Sequence, residues 1–226
     1  SGRPVQEVFQ VNVGQAPSIV AVGGPFGPDT FLGTVTGGPY VGSDGKSWSG
    51  SYLGSGGAST LTLIGLPTHT QVTIDMLLGF LNSWDSRDGS CCAPDDLDVY
   101  IDGSLALHMT TNNALGTIVD FDGGTLLVDN GQIDGNPFYF DDLVDMATAP
   151  ALTFAHSGFA LTLLITSSGG GWQGWPDEGW GMDALRVSVD ATNPVPEPST
   201  WLLFGSGLAG LALRRRSGQA LWRRRK

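Results

Sequence analysis

Alternating apolar and polar positions run through most of the chain and predict β-strands. The clearest stretches are 72–80, 97–101, 159–165 and 185–189, where apolar side chains recur at every second position. Weaker versions of the pattern predict strands near 8–13, 19–22, 31–36, 59–64, 104–109, 117–121, 125–129 and 151–156. About ten short strands separated by turn residues predict an all-β body over residues 1–192, a two-sheet β-sandwich of the jelly-roll kind.

One helix is predicted within this body, near residues 140–147. Asp141 and Asp142 suit the first turn of a helix because its amino terminus favours negative charge. No strand pattern is followed by a helical pattern of a dozen residues, so the sequence argues against a parallel α/β fold.

Composition supports a loop-rich β protein and reveals a split in charge. The chain has 34 Gly and 13 Pro, and its formal net charge is −11. Residues 1–192 hold 21 of the 22 acidic residues and only four basic ones, whereas residues 193–226 hold seven basic residues. An acidic body of this kind argues against nucleic-acid binding, which needs a basic surface.

The basic C-terminal segment has the organisation of a membrane anchor. Residues 193–198 alternate proline with other residues and predict an extended linker. Residues 199–216 predict a short transmembrane helix that ends in an arginine cluster, followed by a basic cytoplasmic tail over 217–226. The apolar part, 201–213, would span about 20 Å of a hydrocarbon layer of roughly 30 Å, so snorkelling arginines would help it cross. The body would then lie outside the cell.

The same segment resembles the PEP-CTERM sorting signal of exported bacterial proteins, a tail also catalogued as the ice-binding protein C-terminal domain. The resemblance rests on three ordered elements: the motif Val195, Pro196, Glu197 and Pro198, a short Leu/Gly-rich span, and Arg214, Arg215 and Arg216. It implies recognition by an exosortase in the membrane and processing near the motif. Release or transfer to the cell envelope or the exopolysaccharide matrix would follow. Residues 217–226 depart from the pattern, because such tails usually end soon after the arginines.

The amino-terminal residues are where the signal peptide that export requires would lie. The sequence starts at Ser1 and its first 30 residues contain no long apolar run. An exported protein needs a signal peptide, so we expect the natural chain to begin upstream of Ser1.

The body is similar to β-sandwich ectodomains often found ahead of PEP-CTERM tails. The similarity rests on Leu66-Pro67-Thr68-His69, Ser83-Trp84-Asp85 and Trp180-Gly181-Met182-Asp183, and it covers roughly residues 60–190. It implies a fold and a surface location rather than an activity.

The acidic loop 84–98 is a candidate calcium site, since carboxylates crowded into one loop repel each other and calcium prefers oxygen ligands. The acids at 177–183 would add ligands if the two tryptophan loops meet. The candidate ligands are Asp85, Asp88, Asp95, Asp96, Asp98, Asp177, Glu178 and Asp183. The spacing is not that of an EF-hand. The alternative is a solvated acidic loop in which Asp side chains cap turns.

Tryptophans in the same loops are candidate glycan-binding residues, because indole rings stack on the apolar faces of sugars. Trp172 and Trp175 lie in the Gly-rich stretch 169–175, which predicts a flexible binding loop. Trp84 and Trp180 are further candidates, with the alternative that both plug the ends of the sandwich core.

Cys91 and Cys92 are adjacent and are candidates for a vicinal disulfide, which would close a strained ring. Two free thiols, or bonds to another chain, are the alternatives. The two cysteines and three histidines make a weak case for zinc.

No nucleophile elbow, zinc-protease motif or phosphate loop occurs, and we expect no enzymatic activity. The sequence therefore predicts an exported, membrane-anchored and then processed surface protein, whose body is a structural or binding module. The alternatives are a calcium-assisted carbohydrate-binding module and a glycan-active enzyme that uses Glu178.

Overall fold

Strands form most of the part of the chain that the structure describes. The structure is a computed structural model that describes residues 5–11, 21–23, 31–34, 40–48, 51–54, 58–134, 136–174 and 177–191. The strands are β1 (Val5–Val11), β2 (Ala21–Gly23), β3 (Phe31–Thr34), β4 (Tyr40–Val41), β5 (Ser47–Trp48), β6 (Ser51–Gly54), β7 (Ala58–Ile64), β8 (His69–Asn82), β9 (Asp96–Ile101), β10 (Ser104–Met109), β11 (Thr125–Gly131), β12 (Asp141–Asp145), β13 (Thr153–Ala155), β14 (Ala160–Ser168) and β15 (Glu178–Ala191). The all-β prediction is confirmed for these residues.

Two large sheets organise the strands. The larger has eight strands in the order β11-β12-β8-β15-β6-β3, with β1 paired to β15 and β13 paired to β8 beside that path. The smaller has five strands in the order β10-β9-β14-β7-β2, and β4 and β5 form a separate ribbon. The named strands pair antiparallel throughout, as expected for a body whose sequence shows no βαβ pattern.

The main core lies between these two sheets. Alternate residues of β8, from Val72 to Phe80, face it from the larger sheet. Leu97, Leu163 and Ile165 face it from the smaller sheet, and all of them are buried. Apolar side chains from two sheets in one cluster make this body a sandwich, while its jelly-roll subtype stays a prediction.

The second half of β8 is buried on both faces, which its alternating pattern alone does not indicate. Leu77 and Leu81 point away from the main core and pack with Trp48 of β5 in a second cluster. Gly79 lies beneath that indole, and a Cβ at this position would approach the ring to 2.8 Å. A glycine at position 79 therefore lets Trp48 cover the strand closely.

The ribbon also places a buried lysine on the larger sheet. Lys46 is 4% exposed, and its Nζ donates hydrogen bonds to Asp75 and, over 2.5 Å, to Asp145. Burial raises the pKa of Asp75 in spite of this contact. The pKa of Asp145 is instead lowered, because hydrogen bonds from Lys46 and from backbone N–H groups outweigh its burial. The sequence analysis predicted no element in this region.

The helix predicted near 140–147 is wrong. Asp141–Asp145 form β12, which pairs with β8 and β11, and only Met146–Thr148 form one turn of 3-10 helix. Leu143 faces the second cluster and Val144 faces the main core, so the segment is an internal strand buried on both faces. The strand predicted near 117–121 is reduced to one isolated bridge between Thr110 and Asp120.

His69 anchors the end of the sandwich at which β8 begins. Its Nδ1 lies 2.5 Å from the carbonyl oxygen of Pro67, and its Nε2 lies 2.7 Å from Nδ1 of His156. At the same end the carbonyl oxygen of Phe159 accepts the backbone N–H groups of Gly65 and Leu66. The Leu-Pro-Thr-His stretch thus joins strands of both sheets.

The predicted linker, transmembrane helix and basic tail, residues 193–226, lie outside the described residues. In the described ranges, no helix is both long enough and apolar enough to cross a membrane.

Candidate functional site

Four loops meet at the end of the sandwich where β8 finishes, and we call this region the loop end. Its described segments are residues 82–95, 110–119, 132–134 with 136–140, and 169–174 with 177. The backbone N–H of Ser83 donates to the carbonyl of Asp177 over 3.0 Å, and that of Ala114 donates to the carbonyl of Trp84 over 3.0 Å. These bonds make residues 82–86 the centre on which the other loops are assembled.

The two tryptophans of the acidic loops lie inside the protein. Trp84 and Trp180 are both 0% exposed. The indole Nε1 of Trp84 donates to the carbonyl of Gly179 over 2.7 Å. Buried rings are not accessible to a ligand, so the structure favours the core-plugging alternative over glycan binding for this pair.

The Gly-rich loop is close-packed rather than open. A Cβ at Gly169 would lie 2.0 Å from the carbonyl oxygen of Pro94, and one at Gly171 would lie 2.0 Å from that of Cys92. Trp172 is half-buried, with its ring centroid 5.3 Å from that of Trp84 in an edge-on contact. Trp175 lies outside the described residues. Gly169 and Gly171 therefore allow two backbone segments to approach closely. From the sequence alone, a glycine needed for close packing cannot be distinguished from one that makes a loop flexible.

Cys91 and Cys92 are free thiols exposed at the surface of the loop end, with their sulfur atoms 3.2 Å apart. This separation is that of two thiols rather than of a disulfide, and the vicinal disulfide stays a prediction. The hydrogen bond to Cys91 and the charge of that group raise the pKa of the Cys92 thiol, which disfavours the reactive thiolate.

Three of the candidate calcium ligands are neutralised or bonded by neighbouring groups. Asp88 accepts hydrogen bonds from Ser86 and from the backbone and side chain of Thr117, and these lower its pKa. Asp96 pairs with the guanidinium of Arg87 over 2.8 Å. Asp98 lies 2.6 Å from Nδ1 of His108.

Asp177 and Glu178, at the start of β15, accept hydrogen bonds from neighbouring loop residues. Asp177 accepts the hydroxyl of Ser83 over 2.8 Å. Glu178 is fully buried, and its Oε2 accepts the backbone N–H groups of Gln173 and Gly174 over 2.7 and 2.8 Å. Its pKa is raised by burial, against the effect of these bonds.

Asp183 lies within β15, five residues after Glu178, and is 1% exposed. Its Oδ1 accepts the backbone N–H of Ala184, at the point where the register of β15 against β8 shifts. Its place in the middle of the strand separates it from the loop end. This residue shapes a β-bulge there.

Asp85 and Asp95 differ from the other candidates, since each has one buried carboxylate oxygen without a hydrogen-bond partner. The second oxygen of Asp95 accepts the backbone N–H of Asp85 over 2.7 Å. Burial raises the pKa of Asp85, and burial together with nearby carboxylates raises that of Asp95 to about 7. Across the described residues, no three acidic, histidine or cysteine side chains converge in a group that could hold a metal ion.

The sequence analysis missed a group of exposed aromatic residues in the connection between β11 and β12. Phe138, Tyr139 and Phe140 are 85%, 37% and 50% exposed. The available signal was three consecutive aromatic residues after a proline and before buried acids. The helix predicted over this region obscured it.

Comparison with known proteins gives one match in sequence. Residues 194–216 match the PEP-CTERM protein-sorting motif, so the resemblance in the tail is confirmed. This motif indicates an exported protein that is processed at its carboxyl end. No curated protein matches the chain.

Among solved structures, one similar chain is the CBM51 module from Clostridium perfringens GH95 in complex with methyl-galactose. The alignment covers 78% of this chain and 99% of that one, at 14% sequence identity and a TM-score of 0.33. A likeness at that level carries no argument about the ligand of this protein.

Proposed function

We propose that this protein is a bacterial surface or extracellular-matrix protein that an exosortase sorts through its C-terminal signal, and that its body serves as a structural or binding module. The observation that carries the proposal is the sorting motif at residues 194–216. The body has none of the catalytic motifs discussed above and is strongly acidic, which suits a protein that must stay soluble outside the cell.

Each part of the tail has a role in this proposal. The motif Val195–Pro198 is the recognition and processing site, and Arg214, Arg215 and Arg216 hold the chain at the cytoplasmic face until processing. Removal of the arginines would leave a product more acidic than the whole chain, whose net charge is −11. The mature product would then reach the cell envelope or the exopolysaccharide matrix.

Intact-mass spectrometry of the sorted protein tests this proposal. In a strain with an active exosortase, the mature form should lack residues 214–226. The variant Glu197→Gln should accumulate unprocessed in the membrane, while Glu7→Gln, the same change outside the motif, should be processed normally. A sorted wild-type protein that retains Arg214 to Lys226 would contradict the proposal.

A calcium-assisted carbohydrate-binding module is the second candidate function. In its favour, Asp85 and Asp95 each have one buried carboxylate oxygen without a hydrogen-bond partner, and a bound calcium ion would coordinate these oxygens. Millimolar calcium at pH 8 should then raise the melting temperature of the wild type, but not that of Asp95→Asn. Asp44→Asn, at an exposed acid, is the matched control. An unchanged wild-type melting temperature removes the calcium hypothesis.

The expectation that the body is not an enzyme remains a prediction. The buried carboxylate of Glu178 accepts three hydrogen bonds from Gln173 and Gly174, which favours a role in holding that turn. Polysaccharide turnover by the wild type that disappears in Glu178→Gln, with no loss of folding, would contradict this expectation.

A further inference from the structure

The connection between β11 and β12 presents three consecutive aromatic side chains to solvent. We call Phe138, Tyr139 and Phe140 the aromatic tip. Phe138 is 85% exposed, while among the described tryptophans of the neighbouring segments Trp84 and Trp180 are buried and Trp172 is half-buried. A contiguous exposed apolar surface on a soluble domain commonly marks an interaction site, because it is costly to leave in water.

Hydrogen bonds fasten the described backbone on both sides of the aromatic tip. Asn136 donates from Nδ2 to the side-chain oxygen of Asn82 over 2.7 Å, and its own backbone N–H donates to Asp134. The backbone N–H of Phe138 donates to the side-chain oxygen of Asn136 over 3.1 Å. Asp141 accepts the backbone N–H groups of Asn82 and Asp134. A surface fixed before binding loses little conformational entropy when a ligand docks.

The charges around the tip indicate which partner fits it. In the part of the chain with described side chains, the basic residues are Lys46, Arg87 and Arg186. Lys46 is buried between two carboxylates, Arg87 pairs with Asp96 and Asp120, and Arg186 is half-buried on β15 with partners of its own. These cations are therefore engaged elsewhere, and the acidic surface would repel anionic lipids and acidic polysaccharides.

The strand leading to the tip supplies polar groups of the kind that sugars need. Asp129, Asn130 and Gln132 are exposed near the end of β11, on the same hairpin. Carboxylate and carboxamide side chains accept and donate hydrogen bonds to hydroxyl groups. Aromatic faces with such groups beside them are the usual composition of a site for an amphipathic, hydroxyl-rich ligand.

We propose that the aromatic tip is a stacking platform for the sugar rings of an uncharged polysaccharide. This inference deepens the proposed function and rests on its binding-module part. It places the binding surface on the β11–β12 connection rather than on Trp84, Trp172 and Trp180, the described members of the candidate set from the sequence.

Affinity electrophoresis of the full chain tests the platform. The gels contain dextran, galactomannan or mixed-linkage β-glucan as uncharged probes and alginate as the acidic probe. The wild type should be retarded by at least one uncharged probe. The triple variant Phe138→Ala, Tyr139→Ala, Phe140→Ala should bind at least tenfold more weakly, since each ring loses a stacking contact. Any retardation by alginate, which the basic residues 214–226 of the full chain attract, should be equal in the wild type and in the triple variant.

Two controls separate binding from folding. Phe159→Ala removes an aromatic ring that is 71% exposed at the opposite end of the sandwich and should leave retardation unchanged. Tyr139→Phe keeps the ring and should retain most of the binding. The triple variant should still unfold in one cooperative transition well above the assay temperature, because Phe138 is 85% exposed and Tyr139 and Phe140 are only partly buried.

Each other outcome identifies the step that fails. Equal retardation of the wild type and the triple variant overturns the platform but leaves a binding module in place. No retardation of the wild type by any probe overturns the platform together with the binding part of the proposed function, while sorting is unaffected. Binding to phosphatidylcholine vesicles, or dimerisation in sedimentation, that the wild type shows and the triple variant loses, without retardation by any uncharged probe, would also overturn the platform by assigning the tip to a membrane or to a second copy.

Discussion

Replacing Asp95 with Asn should make the protein more resistant to unfolding at pH 8, although the replaced carboxylate lies at the centre of the loop end. Asp95 is 0% exposed. One of its oxygens accepts the backbone N–H of Asp85, and the other has no partner. Burial, the charge of Glu178 and the charge of Asp85 raise its pKa from 3.8 to about 7. The asparagine keeps the acceptor and removes the charge.

The magnitude follows from the difference between the folded and unfolded pKa values. Between pH 3.8 and about 7 the folded protein holds a proton that the unfolded chain has already lost. The stabilisation by this proton is complete below pH 3.8 and is lost as the pH rises through 7. Above pH 7 the charged carboxylate lowers the free energy of unfolding by about 4 kcal/mol relative to its protonated form. Between pH 5 and pH 8 the free energy of unfolding falls by about 2–3 kcal/mol through this group. The variant lacks this loss.

Urea unfolding at pH 5 and pH 8, followed by tryptophan fluorescence with a chelator present, measures the effect. The free energy of unfolding should fall between the two pH values by about 2 kcal/mol more in the wild type than in Asp95→Asn. Asp44→Asn is the control, because Asp44 is exposed and has a φ of 54°, which Asn adopts readily. Equal losses in the wild type and Asp95→Asn, or a variant less stable than the wild type at pH 8, would refute the reasoning.

Three further predictions concern packing, one at the buried lysine of the ribbon and two at the loop end. Lys46→Met should lower the free energy of unfolding by about 3–5 kcal/mol in the same urea assay, because it leaves two buried carboxylates without their cation. Gly171→Ala should lower the free energy of unfolding by about 1–3 kcal/mol, since the added Cβ would meet the carbonyl oxygen of Cys92. Gly170→Ala is the control, because its Cβ meets nothing within 4 Å and should change the free energy of unfolding by less than about 0.5 kcal/mol. Trp84→Phe should cost about 2 kcal/mol by leaving the carbonyl of Gly179 without its buried donor, and an unchanged urea midpoint would contradict that role.

The strong strands were predictable because alternation is a local property of the sequence. The stretches near 72–80 and 185–189 lie within β8 and β15, the central pair of the larger sheet. The same reasoning failed at β12, since a strand buried on both faces has no alternation to detect. It also missed the ribbon around Lys46, whose two strands have two residues each.

The candidate site was predictable in location but not in roles. The Ser-Trp-Asp loop and the Gly-rich loop do meet, and Asp85 and Asp95 do lie together. Residue type and spacing could not show that Trp84 is buried, because an indole beside acids suits a core and a binding surface equally well.

The sequence by itself determined the all-β class of the body, the acidic charge of that body and the sorting motif of the tail. Each of these depends on neighbouring residues or on sums over the chain. Only the tertiary structure decided which carboxylates pair with Arg87 or His108, which tryptophans are inside, and that the aromatic tip is exposed. Those outcomes depend on groups far apart in the chain: burial and pairing arise only when the strands are assembled, and no local pattern encodes them.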